Sequence, residues 1–106
     1  MLEKEIEKKV CTHARETGWY QRKWTAPGYR GVPDRLFFIH GHCLCIEFKS
    51  LNGRASALQE KEIRLIRSKG ITVLVVDNVT EGKDYLDYLK SKWAEVPRET
   101  INLHRR

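Results

Sequence analysis

From Leu2 to Thr17 the apolar positions recur with the period of a helix, ~3.6 residues. Leu2, Ile6, Val10 and Ala14, joined by His13, fall on one stripe, and lysines and glutamates occupy the rest. Gly18 stands where a C-terminal cap is expected. Two acids break the pattern: Glu3 lies inside the apolar stripe and Glu7 on its edge. Trp19 to Trp24 predicts a short aromatic-rich strand. Thr25 to Pro33 holds Pro27, Gly28, Gly31 and Pro33 and predicts a loop. Arg35 to Ile39 and His42 to Lys49 predict two strands joined as a hairpin at His40-Gly41. Ser56 to Lys69 predicts a helix closed by Gly70. Ile71 to Val76 is an unbroken apolar and β-branched run, which predicts a strand buried on both faces. Thr80 to Ala94 predicts the last helix, with Tyr85, Leu86, Leu89 and Trp93 at helical spacing and Pro97 beyond it. The order α-β-β-β-α-β-α predicts an α/β fold, a central mixed sheet flanked by helices.

Composition narrows the class. A length of 106 residues suits one domain. Charged residues make up 32% and Gly plus Pro only ten, a globular rather than a disordered balance. No apolar run approaches the ~20 residues of a membrane span, and the opening MLEKEIEKKV lacks the apolar region of a secretory signal. Cys11, Cys43 and Cys45 are odd in number and lack C-x-x-C spacing, so we read them as reduced thiols of a cytoplasmic protein. The net charge is +6 but uneven: residues 71–89 carry −3, whereas 18–46, 47–70 and 90–106 carry +3 each. A basic middle and tail suit a phosphate-rich partner.

The candidate chemistry lies in the hairpin. Alternation puts Leu44, Ile46 and Phe48 on one face of the second strand and Cys43, Cys45, Glu47 and Lys49 on the other. If the hairpin closes at Gly41, Asp34 at the start of the first strand meets Glu47 and Lys49 at the end of the second. Two carboxylates offer hard oxygen ligands to Mg²⁺, an ion suited to phosphate-bearing substrates. A lysine beside the ion can orient water or offset charge building on phosphorus. E-x-K alone is common by chance and equally describes a surface ion pair; Gly31-Val-Pro-Asp34 on the neighbouring strand is what gives it weight. Gln59 has two readings. Ser56-Ala-Leu-Gln59 matches a capping box, yet Gln59 shares the inward stripe of Ile63 and Ile66 and so also suits the site. An acid inside an apolar stripe needs a partner, which favours Glu3 over Glu7 as a further site acid. His40 and His42 read as solvated turn residues, and Cys43 and Cys45 as small core hydrophobes. Arg30 and Arg54, in the loops on either side of the site, together with Lys23 and Arg35, are candidate phosphate contacts.

Glu3, Gly31-Val-Pro-Asp34, Glu47-Phe-Lys49 and Gln59, in this order, resemble the PD-(D/E)XK nuclease superfamily and, more narrowly, its VRR-NUC group. That group has small stand-alone members in bacteriophages and bacteria and also forms the nuclease domain of the eukaryotic Fanconi-associated nuclease. The resemblance implies a restriction-endonuclease-like αβββαβ core over residues 2–77, within a single domain spanning 1–106 whose last helix and basic tail occupy 79–106. It implies Mg²⁺ or Mn²⁺ held by Asp34, Glu47 and the backbone carbonyl of Phe48. Lys49 would be the catalytic lysine, Gln59 a supporting residue, and Glu3 or Glu7 the outer acid. It further implies a DNA endonuclease without organic cofactor or membrane, acting as a homodimer on branched DNA such as four-way junctions, in the cytoplasm of a bacterial or phage-infected cell. A non-catalytic nucleic-acid-binding subunit of the same fold is the alternative. Tyr85, Tyr88, Trp93, Ile101 and Leu103 are candidates for the dimer surface.

Overall fold

The computed structural model describes residues 1–98, so Ile101, Leu103 and the rest of the basic tail lie outside the described residues. The elements are α1 (Glu3–Glu16), β1 (Tyr20–Lys23), β2 (Arg35–Ile39), β3 (His42–Phe48), α2 (Ala57–Ser68), β4 (Thr72–Val76) and α3 (Val79–Glu95). The strands form one sheet in the order β1-β2-β3-β4. The first two pairings are antiparallel and β3-β4 is parallel. This is the expected mixed sheet, with helices on both faces.

The larger core lies on the face covered by α1 and α3. Ile6, Val10 and Ala14 of α1 meet Phe37, Leu44, Ile46 and Phe48 of the sheet and Leu86, Leu89 and Trp93 of α3, all buried. Gly82 lets α3 approach closely. A Cβ there would stand 2.7 Å from Val10 Cγ2 and 2.9 Å from Val76 Cγ1. The other face carries a smaller cluster in which Ile63 of α2 packs on Cys45 and Val73. The alternation along β3 therefore divides the cores as the pattern predicts.

Three expectations change. β4, expected to be buried on both faces, is only partly covered: Val73 and Val76 are buried, its other residues are half-buried, and among the described residues it lies at the edge of the sheet. Its apolar run reflects partial cover by a helix on each face, and Arg67 Nη2 donates to the carbonyl of Val73 at 2.6 Å. Trp93 is no surface residue: it is buried, stacks on His42 at 4.8 Å and meets Trp19 edge-on at 6.0 Å. That stack, and a 2.9 Å hydrogen bond between His42 Nε2 and the Val96 carbonyl, take His42 out of the class of solvated turn residues.

Candidate active site

The site forms where β2 begins, β3 ends and α2 starts. The β2-β3 register pairs Arg35 with Ile46, which sets Asp34 beside Glu47. Asp34 Oδ2 accepts a 2.7 Å hydrogen bond from the Phe48 N–H. Lys49 follows β3 directly, and its backbone N–H donates to the Val76 carbonyl at 2.9 Å, fixing it against the end of β4. Its Nζ lies 3.1 Å from Glu47 Oε2.

Gln59 makes the contacts of both readings at once. The capping box is complete: Ser56 Oγ accepts from Gln59 N at 3.2 Å, and Gln59 Oε1 accepts from Ser56 N at 2.9 Å. The same Oε1 accepts from Lys49 Nζ at 2.8 Å, while Nε2 donates to Glu47 Oε2 at 3.0 Å. One amide thus closes the first turn of α2 and clasps the lysine and the buried acid. Gly31, at φ +86°, presses the Gly-Val-Pro-Asp loop onto that turn. A Cβ there would stand 2.9 Å from the Leu58 carbonyl oxygen and 3.2 Å from Gln59 N.

Carboxylate oxygens of Glu3, Asp34 and Glu47 lie within 4.8 Å of one another. Glu3 reaches the cluster from the first turn of α1. Glu7 does not join it, because its Oε2 accepts from Arg35 Nε at 2.7 Å. Arg35, a candidate phosphate contact, is thus held by Glu7 through its Nε. Lys23, Arg30 and Arg54 are exposed. Arg54 lines a groove of about 530 Å³ with Arg64 and Arg67, floored by Ile63 and Val75. Asp77, not singled out in the sequence, accepts the Asn52 N–H at 3.1 Å and so ties the Arg54 loop to the end of β4. The signal for it lay in the parallel pairing, which brings the ends of β3 and β4 together.

The electrostatics are those of a site short of positive charge. Burial pushes the Asp34 carboxyl above its ordinary range, against the Phe48 N–H. Burial also raises Glu47, reinforced by the Asp34 charge and opposed by Lys49. Glu47 is only 2% exposed, and its Oε1 is buried without a hydrogen-bond partner among the described residues. An orphaned carboxylate oxygen in a three-acid cluster fits a hard divalent cation, with Asp34, Glu47 and Glu3 as its oxygen donors.

No family model matches the chain. It is similar to a protein of Acyrthosiphon pisum secondary endosymbiont phage 1 described as "Putative nuclease p44", with 32% identity over 77 residues, 72% of this chain and 83% of that one. Among solved structures, a VRR_NUC domain superposes with a TM-score of 0.75 at 24% identity, covering 81% of this chain and 95% of the other.

Proposed function

The chain belongs to the VRR-NUC nuclease family, and from that premise we propose that it is a divalent-metal-dependent DNA endonuclease. The observation that carries the reading is the cluster itself: three carboxylates within 4.8 Å, one with a buried oxygen that has no partner among the described residues, beside a clasped lysine. Asp34 and Glu47 would hold Mg²⁺ or Mn²⁺, with the Phe48 carbonyl as a further oxygen and Glu3 completing the surroundings. Such an ion supplies Lewis acidity toward a phosphoryl oxygen and toward water. The chain's own residues do the positioning. Asp34 orders the end of β3 through the Phe48 N–H. Gln59 accepts from Lys49 Nζ and so aims it. Lys49 then orients the attacking water or donates to the phosphate as its charge grows. Lys23, Arg30 and Arg54 would contact neighbouring phosphates without reading sequence.

The substrate we favour is branched DNA cut by a homodimer in the cytoplasm of a bacterial or phage-infected cell. One such site cuts one strand, and a two-fold pair cuts two symmetrically. Tyr85 and Tyr88, both exposed on α3, remain candidates for the dimer surface. The test is a panel of labelled branched, duplex and single-stranded substrates with Mg²⁺, Mn²⁺ or EDTA. Lys49→Ala and Glu47→Ala are expected to abolish cleavage and leave DNA binding within a few fold. Cleavage by Lys49→Ala at the wild-type rate would sink the assignment. Binding indifferent to both chelator and Glu47→Ala, with no cleavage by the wild type, would favour a non-catalytic binding subunit.

A further inference from the structure

We propose that the half of the sheet that the described helices leave uncovered, floored by Tyr20, Arg22 and Phe38 and bounded by the half-buried Trp24, is a docking surface for unpaired nucleobases of the strand held at the Asp34–Glu47–Lys49 site, a role that rests on the nuclease reading. Among the described residues α2 packs over β4 and β3 and leaves the same face of β1 and β2 without a helix. Water-facing antiparallel strands ordinarily turn polar side chains outward. Here Tyr20 and Phe38 face outward, 56% and 37% exposed.

The register places this row on the face of the catalytic acid. Tyr20 pairs with Phe38, which pairs with Cys43, and Cys43, Cys45 and Glu47 alternate along that face of β3. The Tyr20 and Phe38 rings lie 6.1 Å apart at 50°. The Arg22 guanidinium sits 4.2 Å from the centre of the Tyr20 ring and is held by a 2.7 Å bond to the Gln21 carbonyl. Flat groups therefore succeed one another toward the acids, Tyr20, Arg22, then Trp24, whose backbone N–H donates to the Asp34 carbonyl at 3.0 Å.

The exposed rings select the ligand. In a paired helix each base face is covered by its neighbours, so a protein ring can stack only on a base that a single strand leaves open. Stacking on rings and guanidinium planes tolerates any base. The four residues include a cation and no acid. A second copy laid on the same patch by two-fold symmetry would bury Arg22 against no carboxylate of the row. A nucleic acid strand brings both a π face and a phosphate.

The test titrates wild type and Tyr20→Leu/Phe38→Leu in EDTA, so that nothing is cut. The probes are a blunt duplex, the same duplex with a short single-stranded extension, and that extension built of abasic sugars. Leucine keeps the apolar area and removes the rings. If the double variant does not fold by circular dichroism, Phe38→Leu alone carries the comparison. Base-bearing over abasic extension is expected to tighten wild-type binding roughly tenfold, a gain the variant loses while its blunt-duplex affinity holds. Equal binding of base-bearing and abasic extensions by wild type would overturn the proposal. So would a dimer that the leucine variant turns into a monomer in sedimentation equilibrium, since that assigns the face to a second copy. Wild type that prefers bases yet hydrolyses nothing in Mg²⁺ or Mn²⁺ upholds the docking surface and removes the nuclease reading instead.

Discussion

Replacing Gln59 by alanine removes three side-chain hydrogen bonds in one step: those from Ser56 N and Lys49 Nζ, and the one to Glu47 Oε2. The capping contribution is on the order of 1 kcal/mol. Hydrogen bonds to charged groups contribute ~1.5–3 kcal/mol each. The lower end suits Lys49, whose side chain is 17% exposed, and the upper end suits Glu47 at 2%. Allowing for non-additivity among groups that touch, Gln59→Ala should cost about 3–4 kcal/mol, of which about 1 is the cap. Ser56→Ala removes only the other half of the capping box and should cost about 1 kcal/mol. For a chain of this size each kcal/mol moves the melting temperature by about 4–8 °C. Gln59→Glu separates the two roles, because Ser-x-x-Glu still caps while a carboxylate replaces the donor facing Glu47. Melts in EDTA and cleavage rates in Mg²⁺ form the assay. Ser56→Ala should cleave close to wild type; Gln59→Ala and Gln59→Glu should not. If Gln59→Ala melts within about 2 °C of Ser56→Ala and cuts as fast, the amide is a cap and nothing more.

Other outcomes follow from the same cluster. Asp34 and Glu47 titrate above their unfolded values, so their contribution to stability is fully present below the unfolded pKa and is lost as pH rises through the folded one. Ion-free protein should therefore melt higher as pH falls from neutrality toward the carboxylate range. Glu47→Gln should flatten that slope; a slope unchanged in the variant counts against the burial argument. Divalent cation at 100 times its Kd should stabilise the wild type by about 2.7 kcal/mol, seen as a rise in melting temperature that Glu47→Gln loses. Gly31→Ala should destabilise by about 1–3 kcal/mol, because its φ is left-handed and its Cβ would meet the α2 backbone. Its cleavage should fall further than that of Gly82→Ala, which overpacks the distant α1–α3 contact. Comparable activities at matched folded fractions would show that the loop does not position Asp34.

Local patterning carried most of the architecture. The stripe of α1, the alternation of β3 and the capping box before α2 each read correctly because each is decided within a few residues of chain. What escaped depends on partners far apart in sequence. Glu3 and Glu7 sit on the same helix; the apolar stripe favours Glu3, but that Glu7 pairs with Arg35 instead depends on a residue 28 positions away. Trp93 reads as exposed until Trp19 and His42 close around it. β4 reads as buried on both faces because its run is unbroken and β-branched, whereas each face is only partly covered by a helix, and such a run says nothing about the strand's flank. For Gln59 the sequence offered a choice of two roles, and the fold gives one amide the contacts of both.

That flank of β4 has a further consequence. A terminal strand of threonine, valine and leucine, one row of its peptide groups turned outward, is a template for cross-β growth between molecules. The fold sets the Arg67 guanidinium on the Val73 carbonyl, spending one acceptor of that row and stationing a cation beside it. Neutralising that arginine should lower the monomer's stability by about 1.5 kcal/mol, the loss of one charged hydrogen bond, and should hasten precipitation and thioflavin-positive deposits on storage beyond what an equally destabilised variant elsewhere in the fold shows, a gatekeeping duty separate from anything the protein does to DNA.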